Sequence, residues 1–113
     1  MFSKRLIEIA SLIPLKSNVV DVGCDHGLLD VYLTLNRKCK CTASDVNENC
    51  LEQAKANIKK FGLEGEIDVV LSDGLKNVEY SEDDYVVIAG MGTSTILEIL
   101  KDAKVNNLII QSN

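Results

Sequence analysis

Val19-Val20-Asp21-Val22-Gly23-Cys24-Asp25-His26-Gly27 reads as a short apolar strand that runs into a glycine-punctuated turn. The stretch after it, Leu28 to Leu35, is apolar on most faces, as a helix buried against a sheet requires. Strand, tight turn and buried helix open an α/β unit, and such a turn faces the ligand crevice at the carboxyl end of the sheet. Acids recur at equivalent strand ends: Asp21 here, Asp45 after a second strand and Asp73 after a third.

The rest of the chain follows the same alternation. Before the first strand, Ser3 to Ile13 has the pattern of an amphipathic helix, with Ser3 as its cap, Leu6, Ile7, Ile9, Ala10 and Ile13 on its apolar face and Pro14 as its stop. Arg37, Lys38 and Lys40 mark a solvated loop. Lys40 to Ser44 is a second strand, and Asn47 caps a helix over Glu48 to Phe61, closed by Gly62. Glu66 to Leu71 is a third strand, ended by Ser72-Asp73-Gly74. Tyr85 to Ala89 is an unbroken apolar run, the mark of a central parallel strand. Gly90-Met91-Gly92 turns it into a helix from Thr93 to Ala103, with Ile96, Leu97, Leu100 and Ala103 inward, and Asn107 to Gln111 is a fifth strand. Alternating strands and helices require a parallel sheet with right-handed crossovers. The expected architecture is therefore an α/β, Rossmann-like, doubly wound sheet in the order 3-2-1-4-5, one domain over residues 1–113. It looks cut short after the fifth strand, because Gln111-Ser112-Asn113 leave that strand without a covering helix.

Composition bounds the function. Hydrophobic residues make up 46% of the 113, enough for a core of domain size. The net charge of −5 excludes a chain that is basic overall, so nucleic-acid contact would need a local patch or a further segment. The four cysteines, at 24, 39, 41 and 50, include no C-x-x-C pair, and the single histidine, His26, is not spaced as a metal partner. Reduced thiols in the cytoplasm and no metal site are expected. Met1 to Leu15 has the outline of a signal peptide, but Glu8 interrupts the apolar run and no small-residue cleavage site follows. No run reaches membrane-spanning length.

Three acids and a glycine turn suit one kind of ligand. A nicotinamide fingerprint needs glycine at positions 23, 25 and 28, and Asp25 and Leu28 stand at two of them. A carboxylate at Asp25 would oppose a pyrophosphate resting on the helix N-terminus. S-adenosylmethionine (SAM) has no phosphate. It carries a sulfonium and an ammonium against one carboxylate, so acids around its pocket are favourable. Asp21-x-Gly23-x-Asp25-x-Gly27 is similar to the acid-x-Gly-x-Gly-x-Gly motif of SAM-dependent methyltransferases, with the middle glycine replaced. Gly23 and Gly27 would let the backbone approach the methionine and ribose parts. Asp45 would accept both ribose hydroxyls, and Asp73 would meet the adenine amino group. Cys24, Val46, Ser72, Gly74 and Met91 flank these positions, and Gly90 and Gly92 would leave room for a methyl acceptor. Structural readings stand beside these. Asp21 could shape the turn by accepting backbone N–H bonds, Asp45 could serve as a helix-start residue, Asp73 could form the turn before Gly74, and His26 could order the loop.

At these residues the chain resembles a family, the bacterial tRNA (adenine-22-N1)-methyltransferases, known as TrmK. The stretches that carry the likeness are Ser3-Lys4-Arg5-Leu6, Asp21 to Gly27, Ser44-Asp45-Val46-Asn47, Ser72-Asp73-Gly74-Leu75, Ile88-Ala89-Gly90-Met91-Gly92 and Leu108 to Asn113. The Asp25-His26 pair inside the glycine loop and the Ala-Gly-Met-Gly turn are its distinctive parts. The resemblance implies a Rossmann-like catalytic domain followed by a helical C-terminal domain, SAM as methyl donor, tRNA as acceptor and adenine N1 as the methylated atom. By the family pattern Asp21, Gly23, Asp25, His26, Asp45 and Asp73 line the cofactor site, with Asp25 and His26 as candidates for the chemistry.

The chain departs from the pattern at three places. Leu28 and Asp30 stand where the family commonly has Tyr and Pro, Thr93 stands where it has a fourth residue Gly in Gly-Met-Gly-Gly, and Ser112 replaces Pro in Gln-Pro-Asn. These bear on recognition of the target base more than on the cofactor. Two rival readings share the fold: a methyltransferase acting on another RNA, a protein or a small molecule, and a fragment that binds SAM without turning it over. A nicotinamide enzyme is a third.

Overall fold

The computed structural model describes residues 2–112, so Met1 and Asn113, which the sequence reading touches at the leader and at the last stretch of the likeness, lie outside the described residues. Nine elements alternate: α1 (Lys4–Ser11), β1 (Asn18–Val22), α2 (Leu28–Arg37), β2 (Lys40–Asp45), α3 (Glu48–Lys60), β3 (Ile67–Leu71), β4 (Tyr85–Met91), α4 (Thr93–Leu100) and β5 (Asn107–Ser112). The five strands form one parallel sheet in the order β3-β2-β1-β4-β5, as expected.

The twofold alternation of side chains along each strand divides the core. Val19, Cys41, Ala43 and Val87 point to one face and pack under α1, α2 and α3 with Ile13, Val31, Leu33, Ala54 and Ile58. Val20, Val22, Val86 and Ile88 point to the other, against Ile96 of α4 and Val78 of the long β3–β4 connection. The strand order therefore reverses between β1 and β4, with α2 on one side of the sheet and α4 on the other. A ligand crevice is expected at the carboxyl ends of those two strands.

Several boundaries differ from expectation for local reasons. Helix α1 stops at Ser11, and the N–H groups of Leu12 and Ile13 bond three residues back, to Ile9 and Ala10, because a residue before proline is driven out of the helical region. Ile13 is buried all the same, while Ile7 is 42% exposed and does not belong to the apolar face. Ser3 caps α1 as expected, its Oγ accepting from the Leu6 N–H at 3.1 Å. Arg37 is the last residue of α2 rather than a solvated loop charge, and its Nε donates to the Ile13 carbonyl at 2.8 Å. Helix α4 ends at Leu100, three residues early, because N–H groups of Lys101 and Ala103 turn back to Glu98 and Leu100. Leu97 is not inward but 65% exposed; the stripe that faces the core is Ile96, Ile99 and Leu100, and Leu97 lies about 100° around the helix from Ile96.

Candidate functional site

The turn after β1 is fixed by its neighbour. Gly23 and Cys24 both donate to the Ser44 carbonyl, at 2.9 and 2.8 Å, and the Ser44 hydroxyl returns a bond to the Asp21 carbonyl at 3.1 Å. The chain then needs three left-handed residues in five, at Gly23, Asp25 and Gly27 (φ +78°, +53° and +73°). Gly23 has a second constraint, since a Cβ there would collide with the Met91 side chain. Gly27 starts α2, and a Cβ on it would stand 3.0 Å from the Ala54 Cβ. It serves helix packing against α3.

Two cavities open on either side of this turn and share Gly23. The larger, about 480 Å3, lies on the α4 side. It gathers the expected residues Gly23, Asp45, Val46, Ser72, Asp73, Gly74 and Met91. Sequence reasoning missed Tyr80 and the α4 residues Ser94, Thr95 and Glu98, with Asp102 just beyond the helix. Ser94 and Glu98 are four apart, the polar counterpart of the inward stripe, and that spacing was a signal available in the sequence. Four acids, Asp45, Asp73, Glu98 and Asp102, face one lysine, Lys76, whose Nζ is 3.1 Å from Asp73 Oδ2. The cavity therefore favours a cationic ligand.

Asp45 leads into α3, as its structural reading has it, and also ties the glycine loop to its own strand. Its Oδ2 accepts from the Asp25 N–H at 3.1 Å, tying the glycine loop to β2, and its Oδ1 accepts from the Asn47 N–H at 2.9 Å. Asn47 Oδ1 in turn caps α3 through the N–H groups of Asn49 and Cys50. A carboxylate has about four acceptor positions, so Asp45 retains two for hydroxyl donors. Asp73 is exposed. The turn before Gly74 is instead held by Ser72, whose hydroxyl donates to the Gly74 carbonyl and accepts from the Asn77 N–H.

The smaller cavity, about 310 Å3, lies on the α1 and α2 side and gathers Asp21, Gly23, Cys24, Asp25, His26 and Gly90 together with Arg5. The three acids thus do not line one pocket. Because side chains alternate along β1, Val22 faces the α4 side and Asp21 faces α2. Asp25 Oδ1 lies 3.6 Å from both His26 Nε2 and Cys50 Sγ. Desolvation, followed by the Asp45 and Asp25 carboxylates, pushes the Cys50 thiol up, and burial together with Asp21 and Asp30 does the same to Cys24, so neither is an activated nucleophile. The His26 carbonyl accepts from Asn57 Nδ2 at 2.8 Å, which orders the loop from α3.

Sequence reasoning also missed a buried acid pair. Asp21 is 3% exposed and Asp30 of α2 is fully buried, and among the described residues neither Asp30 carboxyl oxygen has a hydrogen-bond partner. Burial raises Asp21 to about 6, with the charges of Asp45 and Asp25 adding to it and Asp30 pulling against it. Burial, then the charge of Asp21, holds Asp30 well above the usual carboxylate range. Two acids enclosed together in a dry site resist ionising at the same time.

A cavity of about 580 Å3 on the same face as α4 includes Asn18 and Lys40 at the amino ends of β1 and β2, and none of the expected site residues except by adjacency. Among the described residues no group of three or more His, Cys, Asp or Glu could hold a metal ion, and no helix is long and apolar enough to cross a membrane.

A 3-2-1-4-5 parallel sheet with a glycine turn and an acid-lined crevice at its switch point defines a Rossmann-like fold of the methyltransferase type. The methyltransferase domain family model matches residues 2–113, and the chain belongs to that family. It is 36% identical to the tRNA (adenine(22)-N(1))-methyltransferase of Bacillus subtilis (strain 168) over 98% of this chain and 49% of the relative. Among solved structures, M. capricolum TrmK in complex with S-adenosyl-homocysteine superposes with a TM-score of 0.87 at 45% identity, over 97% of this chain and 51% of that one. Streptococcus pneumoniae Sp1610 in complex with S-adenosyl-L-methionine gives 0.85 at 34% identity, over 97% and 55%. The chain spans about half the length of these relatives.

Proposed function

We propose that this chain is the SAM-binding portion of a cytoplasmic methyltransferase that transfers a methyl group to N1 of an adenine in tRNA. The observation that carries the cofactor half is the cavity of about 480 Å3, walled by Gly23 and four acids at the carboxyl edge of the sheet. The acceptor half rests on the relatives named above, whose tRNA activity belongs to chains twice as long. Residues 1–113 act here as one cofactor domain, and tRNA contact draws on further segments, since a net charge of −5 gives little phosphate affinity.

The residues present fit the cofactor. Asp45 offers two acceptor positions toward ribose hydroxyls, and two charge-assisted bonds of this kind contribute about 2–4 kcal/mol together. Ser72, Asp73 and Gly74 border the same cavity one strand further out, on the adenine side, and Val46 adds an exposed apolar surface. Gly23 borders both cavities, with Met91 against it on the side of the larger one, and the reacting end would lie there. When bound, SAM supplies an electrophilic methyl group.

Adenine N1 carries an available lone pair, so the protein need not remove a proton before attack, and catalysis reduces to holding the base in line with the transferred methyl. The smaller cavity, bordered by Asp25, His26 and Gly90, opens directly across Gly23 and is the place for that base. Asp25 is exposed there and able to accept from an exocyclic amine, while His26 borders the same space. A base inside folded tRNA reaches such a cavity after local opening.

Methyl transfer from labelled SAM to bulk tRNA, with product nucleosides identified, tests the reading. The expected product is 1-methyladenosine, formed when the chain is joined to a C-terminal segment from a relative. Transfer to protein or to another base in that assay would overturn the acceptor assignment. An Asp25→Ala variant within a few-fold of wild type would remove Asp25 from the chemistry.

A further inference from the structure

We propose that Arg5 is the phosphate-binding residue of the smaller cavity: its guanidinium, held by Gln111, receives a backbone phosphate of the nucleotide whose base enters there. This inference rests on the reading of that cavity as the place of the target base.

Arg5 lies in the first turn of α1, where the helix dipole disfavours a cation, and no acid stands in that turn to offset it. Helix stability therefore does not account for a cation at this position. Arg5 is exposed and borders the smaller cavity, whereas Ile9 and Leu29 on the same cavity are buried. The cavity thus has an apolar floor, suited to the face of a base, and a cation at its mouth, where the sugar and phosphate attached to that base would emerge. Arg5 borders this cavity and not the larger one assigned to SAM, so the oxyanion it faces belongs to the acceptor.

The partner of Arg5 is the second observation. Two acids, Asp21 and Asp25, border the same cavity, yet among the described residues Arg5 forms an ion pair with neither of them nor with any other acid. Its Nε donates instead to Oε1 of Gln111, 106 residues away near the end of β5. Gln111 is paired in register with Ala89, which itself borders the cavity. A neutral amide orients the guanidinium without cancelling its charge, as a carboxylate partner would. The bond takes one of five N–H donors and does not consume the fork of terminal N–H groups, which matches two phosphate oxygens. In a chain of net charge −5, phosphate affinity must come from cations placed locally in this way.

The test is an NMR titration of adenosine, adenosine 5′-monophosphate and adenosine 3′-monophosphate into the full chain saturated with S-adenosyl-homocysteine. Wild type, Arg5→Ala, Arg5→Lys and Gln111→Glu are compared, with a SAM titration and a thermal melt on each. At low salt one monophosphate is expected to bind wild type about fivefold more tightly than adenosine, and that preference is expected to fade by about 0.5 M salt. Arg5→Ala is expected to bind all three alike. Arg5→Lys is expected to keep part of the preference, because an ammonium retains the charge without the fork. Gln111→Glu separates charge from scaffolding. It keeps an acceptor for Nε, and so the tie between α1 and β5, but neutralises the guanidinium, so the preference is expected to vanish with no loss of thermal stability.

Equal binding of all three compounds by wild type, or a preference that survives in folded Arg5→Ala, would overturn the proposal. Weakened SAM binding in Arg5→Ala would give the guanidinium to the cofactor's carboxylate and overturn it too. With SAM binding intact, absence of adenosine-induced shifts at His26 and Gly90 would overturn the base-site reading as well, whereas such shifts without a phosphate preference would overturn this inference alone.

Discussion

Asp21 and Asp45 stand at the ends of neighbouring parallel strands, yet the fold treats them oppositely. Asp45 is the last residue of β2, where backbone N–H groups of Asp25 and Asn47 hold its two oxygens. Asp21 sits inside the sheet, paired in register with Ala43, turned toward α2 and enclosed near a second buried acid, Asp30. A carboxylate met by N–H donors near the surface is fixed in place by its bonds. A carboxyl buried beside another carboxyl binds its proton more tightly. The crevice therefore has a hydrogen-bonded surface acid on its α4 side and a buried acid on its α2 side.

The largest effect concerns the buried pair. Asp21 holds its proton to about pH 6 in the folded chain but releases it near 3.8 when unfolded, so between those values the folded state binds more protons. Stability must then fall as pH rises through that window, by up to about 3 kcal/mol from this group. The Asp21→Asn/Asp30→Asn double variant lacks the effect. Urea unfolding at several pH values should show the variant gaining on wild type from about pH 4 to about pH 6 and holding that gain above. Parallel curves for the two proteins would mean that Asp21 is not the titrating member of this contrast.

Next in size is Asp45→Ala, expected to weaken SAM binding by about 30-fold or more, about 2 kcal/mol. Calorimetric binding within a few-fold of wild type would remove Asp45 from the cofactor site. Removing the cap below Asp45 has a smaller reach. Asn47→Ala should lower stability by about 1 kcal/mol through loss of the bonds to Asn49 and Cys50, as read by denaturant midpoint. The smallest effect is that of Lys76→Ala. It takes the cation away from Asp73 on an exposed pair, so thermal stability should hold while SAM affinity rises less than about threefold.

The sheet order and the positions of Gly23, Asp45 and Asp73 were legible because each is written in short range. Apolar runs mark the strands, and a polar residue or glycine ends each one. The same patterning correctly located the Ser3 and Asn47 caps. The burial of Asp21 near Asp30 was not legible, because eight residues lie between them and whether they approach depends on the angle at which α2 returns to the sheet. Alternation along β1 nevertheless shows in retrospect that Asp21 shares a face with Val19, the α2 side. The division of the crevice into two cavities follows from the same fact. Arg37 was read as solvated from its neighbours Lys38 and Lys40, and its bond to the Ile13 carbonyl depends on tertiary packing of α1 against α2. Gly27 belonged to a motif whose sequence form suggests ligand contact, while its geometry answers to Ala54.

The most direct measurement of the central claim is isothermal titration of SAM, with NAD as control, into the wild-type chain at about pH 7.5, well above the titration of Asp21. The account predicts saturable SAM binding and none for NAD, because an acid-walled crevice attracts a cationic ligand and repels a pyrophosphate. A cooperative thermal melt on the same sample without SAM binding would contradict it.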